Sequence, residues 1–369
     1  MLLWAWKSLF VQRGSLIGST LGIASAFILV LFFDAVWRGE SVQIVAYPSH
    51  MKPDVWVMQS GVGNMHMAMS FVWDWKANVI AEMPEVKKVT PILYLNTVIR
   101  AGSQEMFAFV VGLLPDGERA GPWEMSAGRE IKNPREVIIP DILSHLVGAG
   151  IGDKIYITDK EFIVVGLSKG TYSSANTVLF VPFADLEDIL SSTGSYSYLL
   201  VDAKEGVDAN ALAQKIRADV EKVNALPHQQ FITNDFAMAK QMGVEIIVMM
   251  TVICSVLAAL IVSFTAYSIV MRKHQELAII KALGMRNLSI FYGVTVQAGL
   301  VTLFGFAIAA AFAFIVIPYV PALVPQLTLS VSGSAIARLG LIALIVAVMG
   351  ALVPAYMIVR TDPATAFHV

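Results

Sequence analysis

The sequence has little charge and almost no cysteine. Only 15% of its 369 residues are charged and 56% are hydrophobic, whereas a soluble globular chain is about 25% charged and about 45–50% apolar. These proportions indicate a membrane protein. The single cysteine, Cys254, excludes a disulfide within the chain. The formal net charge of −2 gives no reason to expect nucleic acid as a partner.

The sequence also lacks the short motifs of several enzyme classes. It contains no G-x-x-x-x-G-K-S/T phosphate loop and no HExxH zinc motif. The CxxC motif and the G-x-S-x-G nucleophile turn are absent as well. We therefore expect a non-catalytic chain with no catalytic residue, no metal site and no cofactor of its own.

Four long runs contain no Asp, Glu, Lys, Arg or His, and each is long enough to cross a bilayer, which takes about 20 apolar residues in a helix. We expect the third run to leave the membrane at about Ile317, because the prolines that follow it favour a short loop. A signal peptide is the alternative for the first run. That run is longer than a signal core and no small-residue cleavage site follows it, so an uncleaved anchor is expected. The runs are Ser15–Phe33, Ile246–Met271, Asn287–Ala337 and Leu339–Val359.

Lysine and arginine in the short flanking segments orient these spans. Lys7 and Arg13 precede the first span, Arg360 follows the fourth, and segment 272–287 carries four more. Both termini and this segment are therefore predicted to be cytoplasmic, and the stretch between the first two spans to lie outside. That stretch is acidic, since residues 41–240 contain 17 Lys and Arg against 23 Asp and Glu.

The predicted fold is an α-helical membrane protein with four transmembrane helices and one large mixed α/β extracytoplasmic domain between the first and second helices. Short apolar strands alternate in that domain with helices, among them Phe183–Leu190 and Asp208–Val223. The predicted divisions are a cytoplasmic interfacial N-terminal helix (1–14), transmembrane helix 1 (15–36), the α/β domain (37–242), transmembrane helix 2 (243–271), a cytoplasmic helix (272–287), transmembrane helix 3 (288–317), an external loop (318–337), transmembrane helix 4 (338–359) and a cytoplasmic tail (360–369).

A methionine- and tryptophan-rich stretch, residues 58–75, is the most unusual part of the predicted domain. Its apolar side chains favour a surface that contacts a substrate, a partner or lipid. Methionine sulfur beside His66 also suits a soft ion such as Cu(I), but the absence of cysteine favours the apolar contact. Simple packing is the alternative for the tryptophans. The candidate contact residues are Met65, Met67, Met69 and Trp73.

The charged segment 272–287 is amphipathic in an unusual way. With 100° per residue, Ile279, Ile280 and Leu283 fall within 60° of Glu276, which therefore lies at the centre of an apolar arc. A helix that only rests on lipid does not place a carboxylate there. We expect the helix to dock in a groove of another protein, where Glu276 pairs with Arg272 or with a cation of the partner. A carboxylate that merely ends an extended second span in water is the alternative.

The same segment, RKHQELAIIKALGMRNLSI, resembles the coupling segment of the MacB/FtsX-type permeases of ABC transporters, in which R-x-x-E-x-x-x-x-x-A-L-G is typical. The ending PAYMIVRTDPATAFHV is similar to the family's closing motif, with Val359 and Phe367 as mild departures. In size the chain is similar to stand-alone permeases such as the DevC-like ones. The resemblance covers nearly the whole chain.

The resemblance implies a permease that couples ATP hydrolysis by a separate cytoplasmic ATPase dimer to movement of its external domain, a mechanism called mechanotransmission. It implies export or extraction of a hydrophobic or amphipathic substrate; the alternative is a regulatory scaffold that activates an external hydrolase or a sensor kinase. It also implies a bacterial cytoplasmic (inner) membrane location, a second permease as homodimer or heterodimer partner, an adaptor (membrane-fusion) protein as a further candidate partner, and ATP with Mg²⁺ in the ATPase. The implied coupling residues are Arg272, Lys273, Glu276, Ile280, Ala282, Leu283 and Gly284.

Overall fold

In the computed structural model of the chain, the described residues are 6–7, 11, 13–66, 69–115, 119–173, 177–240 and 245–360. Most of the predicted N-terminal interfacial helix and of the predicted cytoplasmic tail lies outside these residues. The described residues form two compact units. The membrane unit comprises Met1–Arg38, Ile246–Leu323 and Leu329–Val369, and the α/β domain comprises Gly39–Glu245 and Val324–Thr328.

The helices and strands follow one another in the order expected for a domain inserted after the first span. In chain order they are α1 (Arg13–Gln43), α2 (Ala46–Met51), β1 (Val55–Gln59), β2 (Val72–Trp73), α3 (Asp74–Ala81), β3 (Val86–Ala101), β4 (Gln104–Leu113), β5 (Met125–Gly128), β6 (Glu136–Pro140), α4 (Asp141–Val147), β7 (Lys154–Ile157), β8 (Lys160–Ser168), β9 (Val178–Pro182), α5 (Phe183–Leu190), β10 (Ser195–Tyr196), β11 (Tyr198–Ala203), α6 (Ala209–Asp219), β12 (Val223–Pro227), α7 (His228–Ala239), α8 (Glu245–Arg272), α9 (His274–Ala282), α10 (Asn287–Ile315), a 3-10 turn (Ile317–Tyr319), α11 (Val320–Leu323) and α12 (Gly333–Arg360).

Within the described part of the chain, four helical segments are long and apolar enough to cross a membrane, which confirms the predicted fold class. They are Leu16–Gln43, Glu245–Ser268, Asn287–Leu323 and Gly333–Leu352. The third differs in detail from the prediction, because the chain continues past Ile317 through the 3-10 turn and α11 instead of entering a loop at once. Pro318 lies in the first positions of that turn, where its missing N–H costs nothing.

Small residues and aromatic contacts allow the helices of the membrane unit to pack closely. Phe27 of α1 and Phe306 of α10 meet edge to face, with ring centroids 5.3 Å apart. At Gly305 a Cβ atom would lie 2.7 Å from Cγ2 of Ile23, so glycine is what permits this close approach of α1 and α10. Only 17–39% of each span's most apolar window is buried within the chain. The remaining apolar surface is suited to lipid or to a further membrane chain.

The α/β domain is organised around a ten-stranded mixed sheet in the order β12-β1-β11-β3-β4-β9-β6-β8-β5, with β7 joined to β3 and β8. Most neighbouring pairs are antiparallel, and β4–β9 and β6–β8 are parallel. A separate two-stranded sheet joins β10 to β2. The core contains Trp56, stacked on Phe231 at 4.3 Å, and the buried rings of Tyr94 and Tyr198.

One predicted helix of the domain is shorter in the structure. The apolar spacing predicted a helix from Asp208 to Val223, but α6 ends at Asp219 and Val220 is extended, with φ −116° and ψ 115°. Val223 pairs instead with Gln59 of β1 and begins the edge strand β12. Pairing in the sheet therefore ends the helix before Val223, although the apolar spacing continues to that residue. Asp208 caps the helix, since its side chain accepts a hydrogen bond from the N–H of Ala211.

Candidate functional site

The candidate coupling helix is α9, which lies between the second and third spans. It is not continuous with α8, because Lys273 leaves helical geometry with φ −104° and ψ 10° and stands at its N-cap. At the other end Gly284 adopts a left-handed φ of +91°. The N–H of Gly284 donates to the carbonyl of Lys281 at 3.0 Å, and that of Met285 donates to Ile280 at 3.3 Å. This bonding pattern closes the helix just before Gly284, where a side chain would be strained.

One face of this short helix is exposed and carries the predicted arc. Arg272, Glu276, Ile279 and Leu283 are all exposed, and Leu283 reaches 83% of its maximal accessibility. On the surface of the unit the carboxylate of Glu276 lies beside Ile279 and Leu283, whereas Ile280, the third apolar residue of the predicted arc, is half-buried. We call the exposed residues Arg272, Glu276, Ile279 and Leu283 the α9 face.

The opposite side of α9 packs on its own chain, and this corrects one of the predicted coupling residues. Lys273 and Leu277 are buried, and Ile280 is half-buried. The break at Lys273 turns its side chain inward, so Lys273 is not part of the exposed face. Burial lowers the pKa of the Lys273 ammonium, while the nearby Glu276 carboxylate opposes this shift. Ala282 is the last residue of the helix.

The predicted pairing of Glu276 with Arg272 is not formed. Arg272 instead donates from Nε to the carbonyl of Ser268 at 3.2 Å. The ion pairs among the described residues do not include Glu276. The remaining alternative of the prediction, a cation supplied by a partner, fits the exposed position of the carboxylate.

The candidate contact residues of the α/β domain do not form one surface. Met65 is only 3% exposed and belongs to the aromatic core, so it is withdrawn as a contact residue. Its N–H donates to the buried carboxylate of Asp235 at 2.7 Å, which draws the chain inward at this point. Met67 lies outside the described residues. Met69 and Trp73 are exposed, and Trp73 reaches 58%.

His66, which suggested the copper alternative, is also accounted for within the core. It is buried and its Nδ1 lies 2.9 Å from Oδ1 of Asp235. Among the described residues there is no group of three His, Cys, Asp or Glu side chains placed to hold a metal ion. Met65 and His66 thus have structural partners in the domain.

Sequence reasoning missed three features near Trp73. Phe71 and Trp75 are exposed large side chains on the same stretch of chain. Glu187 comes close to this stretch only through the fold, and its Oε1 accepts a hydrogen bond from the N–H of Gly194 at 3.4 Å. The alternation of large side chains at Met69, Phe71 and Trp73 could be recognised in the sequence, whereas the approach of Glu187 to this stretch could not.

Comparison with known proteins identifies the families that this chain resembles. Residues 14–219 match the family model described as the MacB-like periplasmic core domain, and residues 248–363 match the FtsX-like permease C-terminal model. An uncharacterized ABC transporter permease of Mycobacterium bovis is 21% identical over 368 residues, covering 100% of this chain and 99% of that protein. The macrolide export ATP-binding/permease protein MacB of Shewanella oneidensis is 22% identical over 331 residues, covering 82% of this chain and 49% of that longer protein.

Among solved structures, the periplasmic region of MacB from Actinobacillus actinomycetemcomitans is similar, with 12% identity and a TM-score of 0.38 over 52% of this chain and 96% of that one. The family assignment rests on the two sequence models, since the first alone covers more than half of the chain. Membership of this permease family implies an ABC ATPase as a partner. The chain is a multi-pass membrane protein and belongs to the MacB/FtsX-type family of ABC transporter permeases.

Proposed function

We propose that this permease couples ATP hydrolysis by a cytoplasmic ATPase dimer to movement of its α/β domain, and so exports or extracts a hydrophobic or amphipathic substrate. ATP and Mg²⁺ bind in the ATPase, and the α9 face is the surface that docks on it. The observation that carries the proposal is this face, which exposes Ile279 and Leu283 around the carboxylate of Glu276.

The α9 face has the composition expected of a docking surface. Exposed leucine and isoleucine cost free energy in water, and contact with another protein recovers it. The carboxylate beside them requires a cation or N–H donors on the partner, because a buried unpaired charge is costly. A lipid surface supplies no such partner at the centre of an apolar face. A protein groove with a basic residue at its base satisfies both requirements.

The anchoring of α9 to its own unit supports transmission of force. Leu277 is buried on the side away from the exposed face, and only residues 283–286 separate the end of α9 from the start of α10. A push on the α9 face therefore reaches the second and third spans through a short helix that is joined to them by the single break at Lys273 and by residues 283–286. This is what a mechanical link between an ATPase and membrane helices requires.

The proposed arrangement in the membrane follows from the charge pattern. Both termini and α9 face the cytoplasm of a bacterial inner membrane, and the α/β domain lies outside. Two permeases, identical or different, accompany the two ATPase subunits, and an adaptor protein is a further proposed partner. The exposed apolar side chains at Phe71 and Trp73 favour transport over the role of a regulatory scaffold.

The test is a Glu276→Ala variant, reconstituted in nanodiscs with the ATPase that co-purifies with the wild-type chain. We expect the variant to insert and fold normally but to retain the ATPase poorly in a pull-down and to lose stimulated ATP hydrolysis. Glu245→Ala is the matched control, because Glu245 is an equally exposed glutamate at the opposite end of α8. Wild-type retention and hydrolysis in Glu276→Ala would mean that α9 is only a connection between spans.

A further inference from the structure

We propose that the stretch around Trp73 is a binding site for an apolar organic cation. The site consists of the exposed side chains of Met69, Phe71 and Trp73 and the carboxylates of Asp74 and Glu187, and we call it the Trp73 site. The inference names the chemical class of the substrate and rests on the proposed transport function for that role. Binding itself is a property of the α/β domain and is measurable without an ATPase.

The apolar part of the Trp73 site is a row of large side chains on one side of an extended segment. Met69, Phe71 and Trp73 are exposed, with Phe71 at 43%, whereas Ser70 and Val72 between them are buried. Side chains of an extended chain alternate between its two sides, so the three exposed ones share a side. Such a row exposes far more apolar surface than isolated surface residues do, which is typical of a ligand or partner site.

The row is held in place by hydrogen bonds to the end of β1. The N–H of Gln59 donates to Oγ of Ser70 at 2.8 Å, and Oε1 of Gln59 accepts from the N–H of Phe71 at 3.2 Å. At its far end Trp73 pairs with Ser195 in the two-stranded sheet. The extended geometry is therefore fixed by partners on both sides.

The side chains of Asp74, which follows Trp73 in the chain, and of Glu187 both approach Gly194, where a Cβ atom would lie 3.5 Å from Oδ2 of Asp74. The N–H of Asp74 donates to the carbonyl of Gly194 at 3.0 Å, and the N–H of Gly194 donates to Oε1 of Glu187 at 3.4 Å. The ion pairs among the described residues include neither Asp74 nor Glu187. The charges of Asp74 and Glu187 also act on Tyr196: burial raises the pKa of this tyrosine, and both carboxylates raise it further. The negative charge at this point is thus not neutralised by a cation of the described chain.

The neighbouring Trp75, unlike Trp73, has a cation of the described chain near its ring. The ammonium of Lys76 lies 5.5 Å from the ring of Trp75 and donates to the carbonyl of Glu221 at 2.7 Å. The cations found over rings in the described part of the chain do not include one at Trp73. An open indole next to two carboxylates attracts a positive group, and the row from Met69 to Trp73 accommodates the apolar part of the same molecule. Charge complementarity therefore selects a cationic amphiphile over a neutral or anionic one.

The experiment compares two probes of the same shape and opposite charge, tetraphenylphosphonium and tetraphenylborate. Their binding to the full-length chain in nanodiscs is measured by equilibrium dialysis without ATPase, after subtraction of binding to empty nanodiscs. We expect saturable binding of the phosphonium and none of the borate. Equal binding of the two ions would overturn the proposal and leave a general apolar contact surface.

Variants then locate the site. Trp73→Ala and the double change Asp74→Asn with Glu187→Gln should each weaken phosphonium binding about fivefold to tenfold, whereas Trp73→Phe should retain most of it because a ring remains. Glu205→Gln, an exposed carboxylate elsewhere in the domain, is the charge control and should bind like the wild type. Unchanged affinity in the Trp73→Ala and double variants would overturn the assignment. A changed oligomeric state in Trp73→Ala would do so as well, since it would assign the row to a second copy of the chain.

The outcome is separable from that of the proposed function. Glu276→Ala should bind tetraphenylphosphonium normally while losing stimulated hydrolysis. Cation binding with intact hydrolysis in Glu276→Ala would contradict only the coupling role of α9. Loss of coupling in Glu276→Ala without any phosphonium binding by the wild type would contradict only the Trp73 site.

Discussion

Leu283 offers a quantitative test of the α9 face, because the chain contains a leucine matched to it. Leu283 is 83% exposed at the end of α9, and Leu323 is 85% exposed at the other end of the third span. Neither side chain contributes much to folding, so Leu283→Ala and Leu323→Ala should melt at the wild-type temperature. The two variants then differ only in whether a cytoplasmic partner covers the position.

The expected size of the effect follows from the area that docking would bury. Burying a leucine side chain is worth about 1.5–3 kcal/mol, and its truncation to alanine removes about three carbons of that surface. Leu283→Ala should therefore cost about 2 kcal/mol for each docked helix, which is roughly a thirtyfold increase in Kd. If both helices of a permease dimer dock, the loss per complex is correspondingly larger.

The assay is titration of the purified ATPase onto permease in nanodiscs, with Kd read from a labelled ATPase and hydrolysis measured in parallel. Leu283→Ala should weaken binding, and Leu323→Ala should leave it unchanged. A Kd for Leu283→Ala within about twofold of the wild type would refute the docking of this face. Equal weakening by both variants would also refute it, because it would show a general effect of lost apolar surface.

Three further predictions concern the fold and its orientation. Glu136→Gln should lower the stability of the α/β domain at neutral pH by about 1–2 kcal/mol, since this buried carboxylate accepts hydrogen bonds from the half-exposed Arg129 and from the backbone of Lys132. Arg129 makes the largest contribution to holding the pKa of Glu136 well below its usual range, and the backbone of Lys132 adds to it. The stabilisation by the Glu136 carboxylate is therefore complete above about pH 4.3, the pKa of an unfolded glutamate, and is lost as the pH falls below that value. The wild type and Glu136→Gln should therefore reach the same melting temperature at acid pH. A Ser103→Cys probe at the exposed β3–β4 turn, in a Cys254→Ala background, should react with a membrane-impermeant thiol reagent in intact cells, and labelling only after lysis would reverse the topology. Gly284→Ala should destabilise the end of α9 by about 1 kcal/mol because of its positive φ, which hydrogen exchange at Leu283 and Met285 would report as faster exchange.

Much of the architecture is local in origin and could be predicted from the sequence. A run of about 20 apolar residues has one stable conformation in a bilayer, the helix, so four such runs predict four spans. Helix α5 occupies Phe183–Leu190 as predicted, because its apolar spacing and the preceding Pro182 act within one or two turns. The end of α9 is likewise local, because the N–H of Gly284 bonds the carbonyl three positions before it and the N–H of Met285 the carbonyl five positions before it.

The tertiary structure decided which side of each element is buried. The angular pattern placed Glu276 within an apolar arc, but only the packing of Leu277 and the break at Lys273 show that Ile279 and Leu283 of this arc face outward and that Lys273 does not. Met65 and Met69 are alike in sequence. The hydrogen bond to Asp235 draws the first into the core, while the second stays at the surface.

The Trp73 site shows the same limit most clearly. The exposed row was detectable as alternating large side chains, because alternation is a property of the local chain. Glu187 and Asp74 approach one another only through the pairing of β2 with β10 and their shared contact with Gly194. Spacing along the sequence does not encode such contacts between distant segments. The sequence alone therefore determined the family and the spans, and the fold decided where α6 ends, which side chains meet and which face outward.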